Sequence, residues 1–344
     1  MKNSHSSAAR RPGQRSPRWA DWDDEALLDL RLCDLGLRVR GSTVEADVER
    51  LYGELARRGI AFRPHVWLSD SWFSPDGVPG IAVPFFAAQP RLCRLERRLI
   101  GEAEGGSGRW RMQLLRHEAG HALDTAYRLR RRADFRRVFG RVSQPYPRVY
   151  VARPASRDYV LHLPSWYAQS HPTEDFAETF AVWLGPKRRW RREYAGWPAL
   201  EKLELVDRLM SEIAGTPPRN RDRTTIAPLH TNRRTLRAHY RHKQRRYADV
   251  ESRWDAALRA LLRPRAGARG ERTLAGHAPA LRRQLRQAGF HPYVVEHVLR
   301  VVAQRADELG LAPPTGRSAE RRLAALHADL IRDLLRRNRE HFVR

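Results

Sequence analysis

Thiols are scarce in this chain: Cys33 and Cys93 are the only two in 344 residues. Two isolated cysteines exclude a disulfide framework and a thiolate zinc site. They fit a reducing compartment, so any bound metal must be held by His, Asp or Glu. Long apolar runs are missing too. The longest candidate, GIAVPFFAA, is broken by Pro84 and falls far short of the ~20 residues that span a bilayer. That excludes a membrane-spanning helix and points to a soluble, cytoplasmic protein. The first twenty residues, MKNSHSSAARRPGQRSPRWA, lack the apolar centre of a secretory signal and read as a basic disordered tail. Lysine occurs only at positions 2, 187, 202 and 243, so the formal net charge of +26 rests almost wholly on arginine. No internal repeat and no sustained heptad is present.

That charge is uneven. Residues 1–218 carry 36 Lys+Arg against 27 Asp+Glu, and residues 219–344 carry 29 against 12. Such a balance invites a nucleic-acid reading. A genome-wide arginine preference on a solvated surface gives the same numbers, and it is the favoured reading. The length suggests about two domains. A 41% hydrophobic content, with ten each of Trp, Tyr and Phe, is that of a globular protein.

After the tail, WADWDDEALLDLRLCDLGL and TVEADVERLYGELARRGI have the spacing of amphipathic helices. HVWLSDSWFSPDGVPGIAVPFF holds two β-rich runs, near 66–68 and 81–86, parted by turn residues. GEAEGGSGRW is a loop. From Trp110 onward, Met112, Leu114, Leu115, Ala119, Ala122, Leu123 and Ala126 recur at helical spacing. Residues 140–168 look irregular, with at most a short strand. A helix starting near Pro172 runs through TEDFAETFAVWL to Gly185-Pro186. EKLELVDRLMSEIAG is another, TPPRNRDRTT a linker, and four helical segments follow residue 248.

The chemistry centres on residues 116–124, RHEAGHALD. Residues four apart share a helix face, so His117 and His121 can both turn an imidazole nitrogen to one zinc ion at ~2.0–2.1 Å. Glu118 sits one position round, within reach of a metal-bound water. This HExxH pattern works by activating that water through the glutamate. The same residues also read as two core histidines beside a buried acid, though such an acid is costly without a cation. A second segment, SWYAQSHPTEDFAETF, sets Glu174 and Glu178 one turn apart on a helix. A carboxylate from a second helix is the usual third ligand. Glu178 could accept the other N–H of a ligand histidine, and Asp124, three residues past His121, is a second candidate for that task. Alternatively, Glu174 and Glu178 are an acidic helix start favoured by the dipole. His162 and His171 are minor candidates for stray ligands or substrate contacts. His239 and His242 read as part of a solvated basic helix.

HEAGH followed, 53 residues after His121, by EDFAE resembles the gluzincin metallopeptidases, in the branch of zinc-binding metallopeptidases whose members read HPxEDFAETFAVWL. More distantly it is similar to the lethal-factor catalytic domain and the Mlc titration factor. The resemblance covers roughly residues 22–210 and is strongest over 116–184. It implies that Glu174 is the zinc ligand. It also implies that Tyr167, seven residues before Glu174, lies beside the scissile carbonyl. Glu178 stands where thermolysin-type gluzincins carry Asp.

The expectation is an α+β protein. Residues 1–20 would be a disordered basic tail, and 21–216 a zincin-like catalytic domain with a small sheet on the active-site helix. Residues 217–247 would be a basic arm, and 248–344 a mostly helical accessory domain. The function expected is zinc-dependent hydrolysis of a peptide or protein substrate, with a zinc-bound water activated by Glu118 and Tyr167 stabilising the oxyanion. The run GIAVPFF is either an edge strand that pairs with an extended substrate or an ordinary core strand. The alternative function is a non-catalytic zinc protein using its basic surface to hold nucleic acid or an acidic partner.

Overall fold

In the computed structural model of the chain the described residues are 17–100, 103–146, 149–150, 153, 156–186, 189–247, 252–265, 273–290, 292–316, 318–337 and 341–342. Most of the expected tail, residues 1–16, lies outside them. Its last residues form a 3-10 turn, Arg18–Asp21, that buries Trp19 and donates the indole N–H to the Leu35 carbonyl at 3.0 Å.

The stretch 19–37, expected as one amphipathic helix, is broken. Only α1 (Asp24–Leu28), capped by Asp23 accepting from the Ala26 amide at 2.8 Å, and a 3-10 turn Leu32–Leu35 form. The cause is tertiary. The Leu32 and Cys33 amides donate at 2.9 Å to the Arg234 and Asn232 carbonyls, bonds that a continuous helix would forbid. Helix α2 (Glu45–Ala56) follows as its spacing predicts, then β1 (His65–Ser69) and β2 (Gly80–Pro84). The two strands pair in parallel, from His65 opposite Gly80 to Ser69 opposite Pro84. On its other side β2 is occupied by Phe73, which exchanges backbone hydrogen bonds with Ala82 at 2.8 and 3.4 Å. The strand is buried along its length. Gly80–Pro84 is therefore a buried core strand and Phe85 opens a 3-10 turn, which supports the core reading of GIAVPFF over the edge strand.

Next come α3 (Pro90–Ile100), α4 (Gly108–Tyr127), α5 (Ala133–Phe139), the short β3 (Val149–Tyr150), α6 (Pro172–Leu184), α7 (Trp190–Glu193) and α8 (Ala199–Ile213). Neither α3 nor α5 is among the helices expected from the sequence. The stretch 217–247, expected as an arm, lies on the same core. Trp67 Nε1 donates to the Ile226 carbonyl at 2.9 Å and Ser69 Oγ to that of Ala227 at 2.7 Å, while α9 (Leu236–Tyr247) buries Leu236 and Tyr240. His239 is not solvated but buried against the Phe85 ring, and burial pushes its pKa down to about 4.

A second core joins α10 (Ser252–Leu261), α11 (Leu274–Gln287), α12 (Pro292–Glu308) and α13 (Ala319–Arg337). The strand pair β4 (Arg263–Pro264) with β5 (Leu311–Ala312) bridges its loops, and β6 (His341–Phe342) pairs antiparallel with β3. From the first half, Trp166 is buried in this core and the partly buried Leu161 packs against it. The whole is helix-rich α+β, and among the described residues no helix is long and apolar enough to cross a membrane.

Candidate metal centre

Helix α4 starts at Ser107, whose hydroxyl accepts from the Trp110 amide at 3.3 Å, and its middle is buried on nearly every side. One side is fixed to α2 by Arg116, whose Nε and Nη2 reach the two Glu54 oxygens at 2.7 and 2.8 Å. A buried bidentate pair tolerates little misplacement, so it sets the rotation of α4 as well as its position. The other side meets α6 at Gly120. A Cβ there would stand 2.9 Å from Ala177 Cα and 3.3 Å from its carbonyl oxygen. Glycine facing alanine lets the helices approach this closely, and the approach brings His117 and His121 opposite Glu174 and Glu178.

The start of α6 is equally determined. Pro172 occupies the first turn, and His171 Nδ1 accepts from the Thr173 amide at 3.2 Å while its Nε2 donates to the Gln144 carbonyl at 3.0 Å. Both nitrogens of His171 are thus used in capping. His162 is also structural: its Nε2 donates to the Gln113 carbonyl at 3.0 Å.

At the crossing, His117 Nε2 and His121 Nε2 stand 3.1 Å apart. Glu174 Oε2 lies 3.0 Å from the first and 3.1 Å from the second. His117 Nδ1 donates to Glu178 Oε1 at 2.8 Å, so in a neutral His117 the Nε2 presents a lone pair. Electron-rich atoms then face one another, an arrangement that repels itself unless positive charge sits among them. Burial opposes a charge on His117, yet Glu174 and Glu178 hold its imidazole well above the usual histidine range. Burial likewise opposes ionisation of Glu174, and His121 and His117 hold its carboxyl well below the usual range. Ligands at ~2.0–2.1 Å from a tetrahedral zinc stand about 3.3 Å apart, within a few tenths of an ångström of these separations. His117, His121 and Glu174 are therefore a group that can hold a metal.

Around this group the other candidates divide. Glu178 Oε2 accepts from the Leu163 amide at 2.7 Å, tying His117 to the segment that leads into the 3-10 turn Pro164–Gln169. Tyr167 on that turn is half-buried, its ring centroid 5.7 Å from that of His117. Glu118 is buried with no hydrogen-bond partner among the described residues, and burial raises its carboxyl above the ordinary range. Asp124 is turned away from the histidines. It accepts from the Arg130 amide at 2.7 Å and from Arg130 Nε at 2.5 Å, closing the turn after α4. Tyr146 was not expected: its hydroxyl donates to Glu174 Oε1 at 2.7 Å, and its ring stacks on His171 at 3.9 Å. A tyrosine between two prolines in an irregular stretch carries no sequence signal for that role.

Residues 109–186 match the family model described as "Putative zinc-binding metallo-peptidase". The span holds α4, α6 and the whole cluster, and the resemblance read from the sequence holds over it. The family is zinc-binding, and zinc is the metal this group of donors would take. No curated protein and no solved structure matches the chain.

Proposed function

We propose that this member of a zinc-binding family is a gluzincin-type peptidase that hydrolyses peptide bonds. The observation that carries the reading is Glu118: a buried residue with no hydrogen-bond partner among the described residues, one position from a complete two-histidine, one-glutamate donor set. A purely structural zinc site has no use for such a group, which costs stability where it stands.

His117, His121 and Glu174 would hold the metal. Zinc in such a site supplies a water acidified towards neutral pH and an electrophile for the substrate carbonyl. Glu118, whose carboxyl pKa burial raises, takes the proton from the attacking water and returns it to the leaving amine. Glu178 keeps His117 in the tautomer that presents Nε2. Tyr146 holds one Glu174 oxygen, so the other faces the histidines. Tyr167 is assigned as hydrogen-bond donor to the developing oxyanion. Asp124 serves the fold of the α4 end, not a ligand.

The strand pair beside α4 and a glutamate ligand from a following helix support a zincin-like catalytic unit that runs from residue 21 through α9, since 217–247 packs on the same core, with a helical accessory unit over 248–344. Two free cysteines support a cytoplasmic location. The test is cleavage of a mixed peptide library, read by mass spectrometry, with zinc-loaded wild type, chelated protein and Glu118→Gln. Only the loaded wild type should cleave. Glu118→Gln should keep its zinc and lose about 10²–10⁴-fold in rate. Equal cleavage by the variant would remove Glu118 from the chemistry.

A further inference from the structure

The chain leaving α4 carries the run RLRRRADFRR, residues 128–137, and at Gly140 (φ +99) it turns back towards Tyr146 on Glu174. Inside this return lies a concavity of about 460 Å³, lined by Arg130, Arg131, Arg136, Arg141, Val142 and Ser143. Of its four guanidinium groups only Arg130 is neutralised, by Asp124 and Asp76. Arg136 donates to the Arg131 carbonyl at 2.6 Å, and among the described residues no carboxylate pairs with Arg131, Arg136 or Arg141. A neighbouring concavity of about 540 Å³ shares Arg131 and adds Arg128 and Arg219, together with Arg132, whose charge is met by Asp134 and by Glu212 on the same wall.

Like charges around one cavity repel, and the repulsion is relieved by an anion. Planar guanidinium forks match carboxylates in shape as well as charge. The groove is close to the metal centre by two routes. Arg141 is five residues from Tyr146, which touches Glu174, and Arg130 bonds Asp124, three residues past His121. At about 3.3 Å per extended residue, five residues span at most roughly 17 Å. A peptide with its scissile bond at the metal therefore reaches the arginines within a few residues. The smaller cavity has no aromatic face for a base, and its neighbour has only Tyr127, which disfavours nucleic acid as the ligand.

The geometry points to a subsite for Asp or Glu side chains beside the metal centre, making acidic peptides the substrate class; this rests on the peptidase reading above. The test uses the full chain as zinc-loaded Glu118→Gln, so that binding is read without turnover. Three fluorescent probes are compared by anisotropy: a Glu-Ala repeat peptide, its Gln-Ala counterpart, and a single-stranded oligonucleotide of similar length. The Glu peptide should bind about tenfold or more tighter than the Gln peptide. Adding Arg131→Gln and Arg141→Gln should abolish that preference while zinc content and melting temperature stay unchanged. Arg141→Glu should shift the preference towards a Lys-Ala peptide, an effect misfolding cannot mimic. Equal binding of the Glu and Gln peptides would overturn the subsite, as would an oligonucleotide that binds more tightly and is the probe the variants lose. A wild type that cleaves peptides but binds the two alike loses only the subsite. A protein that prefers the Glu peptide yet never cleaves loses the peptidase reading instead.

Discussion

At Glu174 the two carboxylate oxygens are divided: Oε2 faces both imidazoles, and Oε1 is held by the Tyr146 hydroxyl. Without that hydroxyl the carboxylate can rotate away from the histidines. Tyr146→Phe is expected to weaken zinc binding by about 10–100-fold, measured by competition with a chromogenic chelator; an unchanged affinity would show that Tyr146 does not orient the ligand. His239 gives a pH prediction of known sign. Its folded pKa of about 4 lies below the ordinary 6.5, because burial disfavours its charge. As pH falls through 6.5 the unfolded chain binds the proton and the folded chain does not, so stability declines between pH 6.5 and 4. The loss reaches about 3 kcal/mol at the lower end. His239→Leu should flatten that decline in urea titrations at neutral and acid pH; an identical slope would contradict it. The ligands themselves are legible in the sequence because HEAGH and EDFAE each lie within one helix, where spacing fixes the face. Tyr146 and the Asp124–Arg130 pair are not, since both depend on how an irregular chain folds back.

The crossing of α4 and α6 converts two local motifs into one site. Alanine is the better helix former by about 1 kcal/mol, so propensity alone predicts that Gly120→Ala stabilises α4. The close approach predicts the reverse. A Cβ 2.9 Å from the backbone of Ala177 forces the helices apart, which is expected to cost about 1–3 kcal/mol net and to lower zinc affinity. Chemical denaturation and metal competition on the same variant check both parts; a stabilised variant with full affinity would contradict the crossing. Elements with strong periodicity, such as α2, α4, α6 and α8, can be read from the sequence. The stretch 19–37 has the same periodicity but is captured by backbone pairing with 232–235. Helix α3 escapes notice for a different reason. It is arginine-rich, and the cue at its start is the Gln89 side-chain oxygen accepting from the Arg91 amide at 2.5 Å.

At the scale of the whole molecule, the two cores meet around Trp166 and Leu161 among the described residues. Trp166, at φ +54, lies in the C-terminal helical core, while the next residue, Tyr167, rests against His117. Trp166→Ala should destabilise that core by about 3–5 kcal/mol, seen as faster amide exchange in α11 and α13; unchanged exchange would show that the tryptophan does not support the bundle. The division into units has no sequence counterpart at residues 217–247, where arginine-rich composition reads as an arm but Leu229, Leu236 and Tyr240 are buried in the first core. The central claim, that two helices held at Gly120 build one zinc site, is tested most directly by metal content. Zinc should be measured in purified wild type and in Glu174→Ala after equilibration with the ion. About one zinc per wild-type chain is expected, largely lost in a variant that still folds. A wild type that stays metal-free, or a Glu174→Ala chain that holds zinc as firmly, would contradict it.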